Sequence, residues 1–514
     1  MSQSSAQNSS SPTARPPVVV VMGHVDHGKS TLLDYIRQTN VVDKEVGGIT
    51  QKMSAYEVLH NGQHITFLDT PGHESFNAIR SRGANAADIA VLVVSAEDGV
   101  KPQTLDAYRA IKASALPFIV GVSKIDKPNA NLERTKLTLA ENEIYVEGYG
   151  GTIPFVPFSG KTGQGVDDLL DMLLLTAEVE GFKANPHVPA ECLVIEANRD
   201  KVRGISATLI VKNGTLKSGS YLVAGNALSP VRIMENFAGK VIKEAGPSMP
   251  VRIVGWDIQP EVGGMCFTFS NKKDAEKYIE EEQRKAHDQN LKNNAKKGPY
   301  TPYGAMDGFS ADEVSIVPLI IKADTSGSIE AVKYEISKIK IERVNLRIVQ
   351  ASIGDIGENE VKGAIGVPGT LILGFTVKID PAAKRFAEQH GVNIQTFDII
   401  YKLTEWLANE AKDRAPKIQV EEQKGVAKIL KFFSAVRDKQ VIGARVESGT
   451  ISYNDEVKIM RRDNEIARGR VRELQQAKSK VGSVEEGKEF GAMIESKIEI
   501  APGDKIEAFH IITK

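Results

Sequence analysis

Short apolar runs alternate with helix-like stretches over the first third of the chain. The runs are rich in β-branched residues and predict strands at 18–22, 65–68, 90–94, 118–122 and 155–158, with helical spacing between them. Strands that alternate with helices are typical of a mostly parallel, doubly wound sheet. Ligands bind such sheets at the carboxyl ends of the strands, so the residues that follow each run are the functional candidates.

The pattern changes twice more along the chain. After residue 189, short β-branched runs separated by Asn-Gly and Ser-Gly turns predict an all-β barrel, and a polar stretch then predicts a solvated helix between domains. Strand and helix patterns return after residue 312 and predict an α/β/α sandwich that ends in a helix over 397–413. The remainder predicts a second barrel, so we expect a multidomain protein of α/β and β domains.

The composition of the chain says little about its cellular compartment or its binding partners. The chain has 514 residues and a net charge of −1, so any nucleic acid must be bound by a local patch. Cys192 and Cys266 lie far apart and predict neither a disulfide framework nor a zinc site, which fits a reducing compartment. Residues 1–15 predict a disordered tail, and no apolar run is long enough for a bilayer. We therefore expect a cytoplasmic protein without membrane contact.

A glycine-rich phosphate-binding motif follows the first predicted strand. The motif Gly-x-x-x-x-Gly-Lys-Ser stands between a strand and a helix and comprises Gly23, His24, Val25, Asp26, His27, Gly28, Lys29 and Ser30, with Thr31 in the helix. Its glycines let backbone N–H groups face an anion, and the helix N-terminus adds positive charge. We expect Lys29 to reach the outer phosphates and Ser30 to ligate Mg²⁺. The alternative, an ordinary glycine-rich turn, is disfavoured by the strand and helix on either side.

Two further stretches are placed to sense the outermost phosphate. Asp69 ends the second predicted strand and can hold Mg²⁺ through water, while Gly72 offers a backbone N–H to the γ-phosphate. Thr50, after two glycines, can close its hydroxyl on the metal when that phosphate is present. Alone, each stretch is equally compatible with a flexible turn. Together with the phosphate loop they predict a nucleotide-dependent switch.

The ends of the last two predicted strands carry residues that select guanine. Asp126 can accept two N–H bonds from a guanine edge, which adenine cannot donate, and Lys124 can lie across the base. Ser123 begins this motif. Ser159, Gly160 and Lys161 end the next strand and can close the base pocket with backbone N–H groups. Their order on successive strand ends predicts GTP rather than ATP.

His73 is the candidate for orienting the water that hydrolyses GTP. The sequence shows no covalent acceptor for the phosphoryl group, and such transfer mostly needs positioning and charge neutralisation. His73 directly follows the Asp69 motif, whereas we interpret His24 and His27 as structural neighbours of the phosphates. A loop histidine without a catalytic role is the alternative.

Taken together, these motifs resemble those of translational GTPases. The matching stretches are 23–30, 47–50, 69–73, 123–126 and 159–161. Residues 45–51, 98–104 and 322–331 are similar to one family, bacterial-type translation initiation factor 2, in a form without the long amino-terminal extension. The resemblance covers residues 16–514.

This resemblance implies both a domain plan and a function. After the tail it implies a GTP-binding domain (16–185), a β-barrel domain II (190–270), a helical linker (271–312), an α/β domain III (313–411), a linker (412–424) and an initiator-tRNA-binding barrel (425–514). It implies a monomer that uses GTP/GDP and Mg²⁺, with a monovalent cation near Asp26. The implied partners are formylmethionyl initiator tRNA and the ribosome, first its small and then its large subunit, and GTP hydrolysis is ribosome-stimulated.

The chain departs from the family pattern at several positions. Ser123 stands where Asn is usual, Gly160 where Ala is usual, and Ala444 and Phe490 where Cys is frequent. The stretch 474–478, often rich in basic and aromatic residues, reads Leu-Gln-Gln-Ala-Lys. A basic cluster in the last barrel nevertheless predicts contacts with an RNA backbone, the alternative being a solvated surface: Arg461, Arg462, Arg468, Arg470, Arg472, Lys478 and Lys480.

Three other functions remain open at this point. An elongation-type carrier of aminoacyl-tRNA is disfavoured by the α/β block at 313–411, because such carriers follow the GTPase domain with barrels. A P-loop ATPase or kinase is disfavoured by Asp126. The third is an assembly scaffold that binds GTP without hydrolysing it.

Overall fold

The computed structural model describes residues 12–38, 50, 53–200, 203–294, 315–416, 419–462, 464–477 and 479–513. The chain forms two compact units, Met1–Arg414 and Ala415–Lys514. The predicted glycines at 47 and 48, the end of the helical linker after residue 294, and Lys478 lie outside the described residues.

Six strands build a doubly wound sheet in the first 180 residues, in the order β3-β4-β2-β5-β6-β7. All neighbours are parallel except β3, which pairs antiparallel with β4 at one edge. The elements are β1 Thr13–Ala14, β2 Val18–Gly23, α1 Lys29–Arg37, β3 Ser54–His60, β4 Gln63–Asp69, α2 Asn77–Ala86, β5 Ile89–Ser95, α3 Pro102–Ala113, β6 Phe118–Ser123, α4 Leu132–Glu141, β7 Phe155–Pro157, α5 Val166–Glu180 and β8 Lys183–Ala184.

The central strands are buried because their whole surface is apolar. Every residue of β2 and β5 is buried, as expected of parallel strands covered by helices on both faces. The predicted tail is wrong at its end, since Thr13–Ala14 pairs with Lys183–Ala184 and Arg15 binds Asp88 through two guanidinium contacts.

The second domain is one seven-stranded antiparallel sheet in the order β13-β12-β17-β9-β10-β16-β14, with a separate β11–β15 pair. Its elements are β9 Glu191–Asp200, β10 Gly204–Asn213, β11 Leu216–Lys217, β12 Tyr221–Ala224, β13 Ala227–Pro230, β14 Ile233–Asn236, β15 Glu244–Ala245, β16 Pro250–Trp256 and β17 Met265–Phe269, followed by α6 Lys272–Asn294. Helix α6 is less solvated at its start than predicted, because Ala275 is buried against this domain and Tyr278 contacts Phe267 and Phe269.

The third domain is a four-stranded parallel sheet in the order β19-β18-β20-β21. Its elements are β18 Ser315–Ala323, α7 Ser326–Lys338, β19 Val344–Ile353, α8 Glu358–Ile365, β20 Leu371–Phe375, α9 Pro381–His390, β21 Asn393–Phe397 and α10 Ile400–Asp413. Helix α7 contacts α10, α8 contacts α9, and α7 also lies against α2 of the first domain. The predicted α/β arrangement of this block is therefore present.

The second unit is a closed antiparallel barrel. Its strands pair in the order β22-β29-β24-β25-β28-β23, and β23 pairs again with β22 to complete the ring. The strands are β22 Gln419–Val436, β23 Lys439–Ser452, β24 Glu456–Arg461, β25 Asn464–Gln476, β26 Ser479–Lys480, β27 Ser483–Glu485, β28 Glu489–Ser496 and β29 Lys505–Thr513.

Among the described residues, no helix has the length and apolarity to span a membrane.

Candidate nucleotide-binding site

The phosphate loop is shaped by glycines that no other residue could replace without strain. Gly23, at the end of β2, has φ +147°, and a Cβ there would lie 2.3 Å from the carbonyl oxygen of Val93. Gly28 has φ +86° and caps α1 without a side-chain hydrogen bond, so the first N–H groups of the helix are left for a ligand. The loop is therefore an anion cradle, as its sequence predicts.

Lys29 is buried at the floor of this cradle. Its ammonium donates to the carbonyl oxygens of Gly23 at 2.9 Å and His24 at 2.6 Å. Burial lowers the pKa of Lys29 to about 8, while the nearby Asp69 carboxylate opposes the shift. The hydrogen-bond acceptors of this buried ammonium are neutral carbonyls. An anionic phosphate would therefore stabilise it strongly by adding negative charge beside it.

Oxygen ligands suitable for Mg²⁺ converge beside the cradle. The hydroxyl oxygens of Ser30 and Thr50 lie 2.9 Å apart, and the Asp69 carboxylate is buried at the end of β4. Two hydroxyls and a carboxylate are the hard oxygen donors that Mg²⁺ prefers. This donor set fits the predicted metal.

Gly72 lies directly against the phosphate loop. A Cβ at this position would fall 2.6 Å from Lys29 Nζ and 3.1 Å from the backbone nitrogen of Val25. Only glycine allows this close approach, so the loop after Asp69 can respond to a group bound beside Lys29. The structure thus places the predicted sensor loop next to the predicted phosphate site.

Ser159 and Ser123 each hold one strand end of the base pocket. The Ser159 hydroxyl donates to the Asp126 carboxylate at 2.7 Å and lowers the pKa of Asp126. The Ser123 hydroxyl donates to the carbonyl oxygen of His27 at 2.5 Å, which ties the base motif to the phosphate loop. The Ser123 side chain therefore supplies a hydrogen bond that holds the phosphate loop in place.

The space around Gly160 explains why glycine stands where alanine is usual in the family. A Cβ there would lie 2.9 Å from the backbone nitrogen of Leu32 in α1. The loop that closes the base pocket thus approaches α1 more closely than alanine allows.

One cavity of about 280 Å³ unites most of the predicted residues. It is lined by Val25, Asp26, Gly28, Lys29, Ser30, Thr31, Thr50, Gly72, His73, Ser123, Lys124, Asp126, Lys127, Gly160 and Lys161. The other predicted residues, Gly23, His24, His27, Asp69 and Ser159, do not line it. Of these, Gly23, His24, His27 and Ser159 bond to lining residues.

His27 has the structural role that the sequence predicts. It is buried, and its Nδ1 accepts from the backbone N–H of Ser95 at 3.3 Å. Burial lowers the pKa of His27 to about 3, with help from His24 and Lys29. The ring is therefore neutral and braces the phosphate loop against β5.

Arg80 is a site residue that sequence reasoning missed. It is fully buried on α2, and its guanidinium donates to the carbonyl oxygens of Gly72 at 3.0 Å and His73 at 2.5 Å, and of Pro71 at 3.3 Å. One buried cation thus holds three successive peptides of the sensor loop. The only signal in the sequence is an arginine within an otherwise small and apolar helix face.

The predicted basic cluster of the last barrel does not form an unopposed positive surface. Most of these cations are paired with nearby carboxylates: Arg461 with Asp504, Arg468 with Glu421 and Glu465, Arg470 with Glu456, Arg472 with Glu495 and Lys480 with Glu473. On this part of the barrel, positive and negative side chains therefore lie next to one another.

Ala444 and Phe490 face each other across β23 and β28. They are directly paired and both buried in the barrel core. These two departures therefore lie side by side in one core cluster.

Comparison with known proteins adds independent evidence. Residues 15–178 match the model of the elongation factor Tu GTP binding domain, residues 189–268 that of elongation factor G domain 2, and residues 292–408 that of translation-initiation factor 2. Fold, cavity and domain models together define a translational GTPase with a GTP/GDP-binding domain.

Relatives identify the family within this class. The chain is 42% identical over 503 residues to translation initiation factor IF-2 of a Thermotoga species, covering 97% of this chain and 72% of the relative. The corresponding factor of a Nitratiruptor species is 42% identical, with 96% and 58% covered. The chain belongs to the translation initiation factor IF-2 family and is shorter than these relatives. The resemblance and fold class stated from the sequence are confirmed.

Solved structures also match. GDP-bound aIF5B from Aeropyrum pernix is 24% identical with a TM-score of 0.45, covering 96% of this chain and 92% of that one. A bacterial selenocysteine-specific elongation factor is 24% identical with a TM-score of 0.41, covering 49% of this chain and 45% of that one.

Proposed function

We propose that this translation initiation GTPase works as a switch whose setting is read by Thr50 and Gly72. The carrying observation is that both residues line the same cavity as Lys29 and Asp126, so one nucleotide can touch phosphate and base residues at once. Ser30 and Thr50, with Asp69 through water, would hold Mg²⁺, which would neutralise part of the phosphate charge. Asp26, which lines the cavity with φ +60°, is our candidate for a monovalent cation.

Hydrolysis in this proposal requires no covalent intermediate. A water oriented by His73 attacks the γ-phosphorus, the bond to the bridging oxygen breaks, a proton of the water passes to the released phosphate, and GDP and phosphate leave. Lys29 and the backbone N–H groups of the phosphate loop hold the charge that develops on the leaving oxygens. The loops at Thr50 and Gly72 then lose their common contact and relax.

The proposed partners are the ribosome and formylmethionyl initiator tRNA. We propose that the factor acts as a cytoplasmic monomer that recruits this tRNA to the small subunit, promotes joining of the large subunit and hydrolyses GTP there. The family supports this role. Because the barrel cations are ion-paired, recognition of the tRNA would depend on surface shape as well as on charge.

Substituting Asp126 tests the proposed base recognition. Asp126→Asn should shift preference from guanine toward xanthine nucleotides, because an amide donates where the carboxylate accepts. Affinities for GTP and xanthosine triphosphate measured by calorimetry check this, with the exposed Asp168→Asn on α5 as matched control. Unaltered GTP preference in Asp126→Asn would contradict the assignment.

A tRNA comparison tests the proposed partner. The full chain with GTP should retain formylated initiator tRNA on filters more strongly than the unformylated form. Equal retention of both, or of an elongator tRNA, would favour an elongation-type carrier.

A further inference from the structure

His73 does not stand alone at the cavity. Its ring is buried, lines the cavity beside Gly72 and packs edge-on against Tyr401, with ring centroids 4.5 Å apart. Phe76 lies on another side at 6.4 Å. The ring is therefore confined, and its orientation is decided by its neighbours.

A hydrogen-bonded chain reaches Nδ1 of this ring. The Ser75 hydroxyl lies 2.5 Å from His73 Nδ1 and donates to the Glu335 carboxylate, also at 2.5 Å. A serine hydroxyl has one proton, and here it faces Glu335, which Lys338 also contacts at 3.1 Å. The backbone N–H of Ser75 also donates to His73 Nδ1, at 3.2 Å, so both polar groups of Ser75 lie against this one ring nitrogen.

This arrangement fixes the direction of the imidazole ring. Nδ1 is held by Ser75, so Nε2 is the ring nitrogen left for a water in the cavity. The logic is that of a carboxylate that orients a histidine in hydrolases, with a serine hydroxyl between the two groups.

The carboxylate in this chain comes from another domain. Glu335 lies on α7 and Tyr401 on α10, both in the third domain, and Ser75 and Glu335 are 260 residues apart. The same helix is anchored to the first domain by the ion pair between Glu330 and Arg82 at 2.6 Å. The orientation of His73 therefore depends on the third domain being docked.

We propose that Glu335 is a positioning residue which, through Ser75, fixes the orientation of His73, so that GTP hydrolysis requires α7 against residues 73–76. This inference rests on the proposed role of His73. It makes the third domain a part of the hydrolytic site rather than a spacer.

The charges around His73 give the proposal a pH signature. Burial lowers the pKa of His73, the carboxylates of Glu335 and Glu74 oppose this, and Lys338 and Arg80 add to it. Tyr401 also faces the ring. Removing the Glu335 charge should therefore lower the pKa of His73 further and move the acid limb of the pH–rate profile to lower pH.

The test compares single-turnover GTP hydrolysis by full-length variants, with and without ribosomes, over a range of pH. Glu335→Gln and Ser75→Ala should each reduce the rate constant by about tenfold or more with unchanged GTP affinity, because orientation and not binding is lost. The acid limb should move in Glu335→Gln. The exposed Glu388→Gln on α9 is the control and should not move it.

The outcomes separate this inference from the proposed function. A slow His73→Ala variant together with a Glu335→Gln variant that behaves like the Glu388→Gln control would overturn the inference alone. An unchanged rate in His73→Ala would overturn the catalytic role of His73 and, with it, the inference. A loss of GTP affinity in Ser75→Ala and Glu335→Gln would show a merely structural role and reject the positioning proposal.

Discussion

A single hydroxyl at Ser123 holds together two loops that must act on one nucleotide. It donates to the carbonyl oxygen of His27 in the phosphate loop and lies in the motif that ends with Asp126. A longer amide at this position is thus not needed to brace the loop. The geometry shows how this departure from the family pattern keeps the cavity intact.

Removing that hydroxyl should weaken nucleotide binding. Ser123→Ala leaves the His27 carbonyl without this donor, which costs about 1 kcal/mol and corresponds to roughly a fivefold rise in the Kd for GDP and GTP. Calorimetric titration checks the prediction, with Ser114→Ala at the end of α3 as control. Affinity equal to that of the parent chain would mean that the loop is braced by other contacts.

Helix α7 is the element on which three domains meet. Its first residues lie against β9 of the second domain, where the carboxyl group of Glu196 is buried near Gly327 and Thr325. Farther along, α7 reaches Arg82 and Ser75 of the first domain. One helix thus connects the sensor loop with both downstream domains of this unit.

Glu196 should make the stability of this junction depend on pH. Burial raises the pKa of Glu196 from 4.5 to about 7, so the folded chain binds a proton that the unfolded chain releases. Stability from this group is complete below about pH 4.5 and falls as pH rises through 7, by up to roughly 3 kcal/mol. Glu196→Gln should remove this loss.

Denaturant unfolding at pH 5 and pH 8 checks this expectation. The free energy of unfolding of Glu196→Gln should exceed that of the parent at pH 8, with little difference at pH 5. Glu191→Gln, an exposed position on the same strand, is the control. Parallel pH slopes for the parent and Glu196→Gln would contradict a buried, proton-binding carboxyl.

At the scale of the whole molecule, the chain is two units with separate cores. The barrel core of the second unit is contributed entirely by residues after 415, and the nucleotide cavity lies entirely in the first unit. Each unit therefore has the apolar interior needed to fold cooperatively by itself.

Calorimetry of the intact chain should show two unfolding transitions. GDP at about 100 times its Kd should stabilise the Met1–Arg414 unit by about 2.7 kcal/mol and leave the barrel transition unmoved, because the ligand binds only one unit. A Lys29→Ala variant, which lacks the phosphate-binding ammonium, is the control and should lose the shift. An equal rise of both transitions would show that the units unfold together.

The sequence alone determined the residues that meet at the cavity. Lys29, Asp126 and Gly160 follow apolar strands, and parallel strands bring their carboxyl ends to one edge, so chain order was sufficient to place them together. Only the tertiary structure decided the grip of Arg80 on the sensor loop, the pairing of the barrel cations and the contact of Glu335 with Ser75. The residues in those contacts are not related by any regular spacing along the chain. The sequence would allow many partners for each side chain, and only the packing of the folded chain selects one.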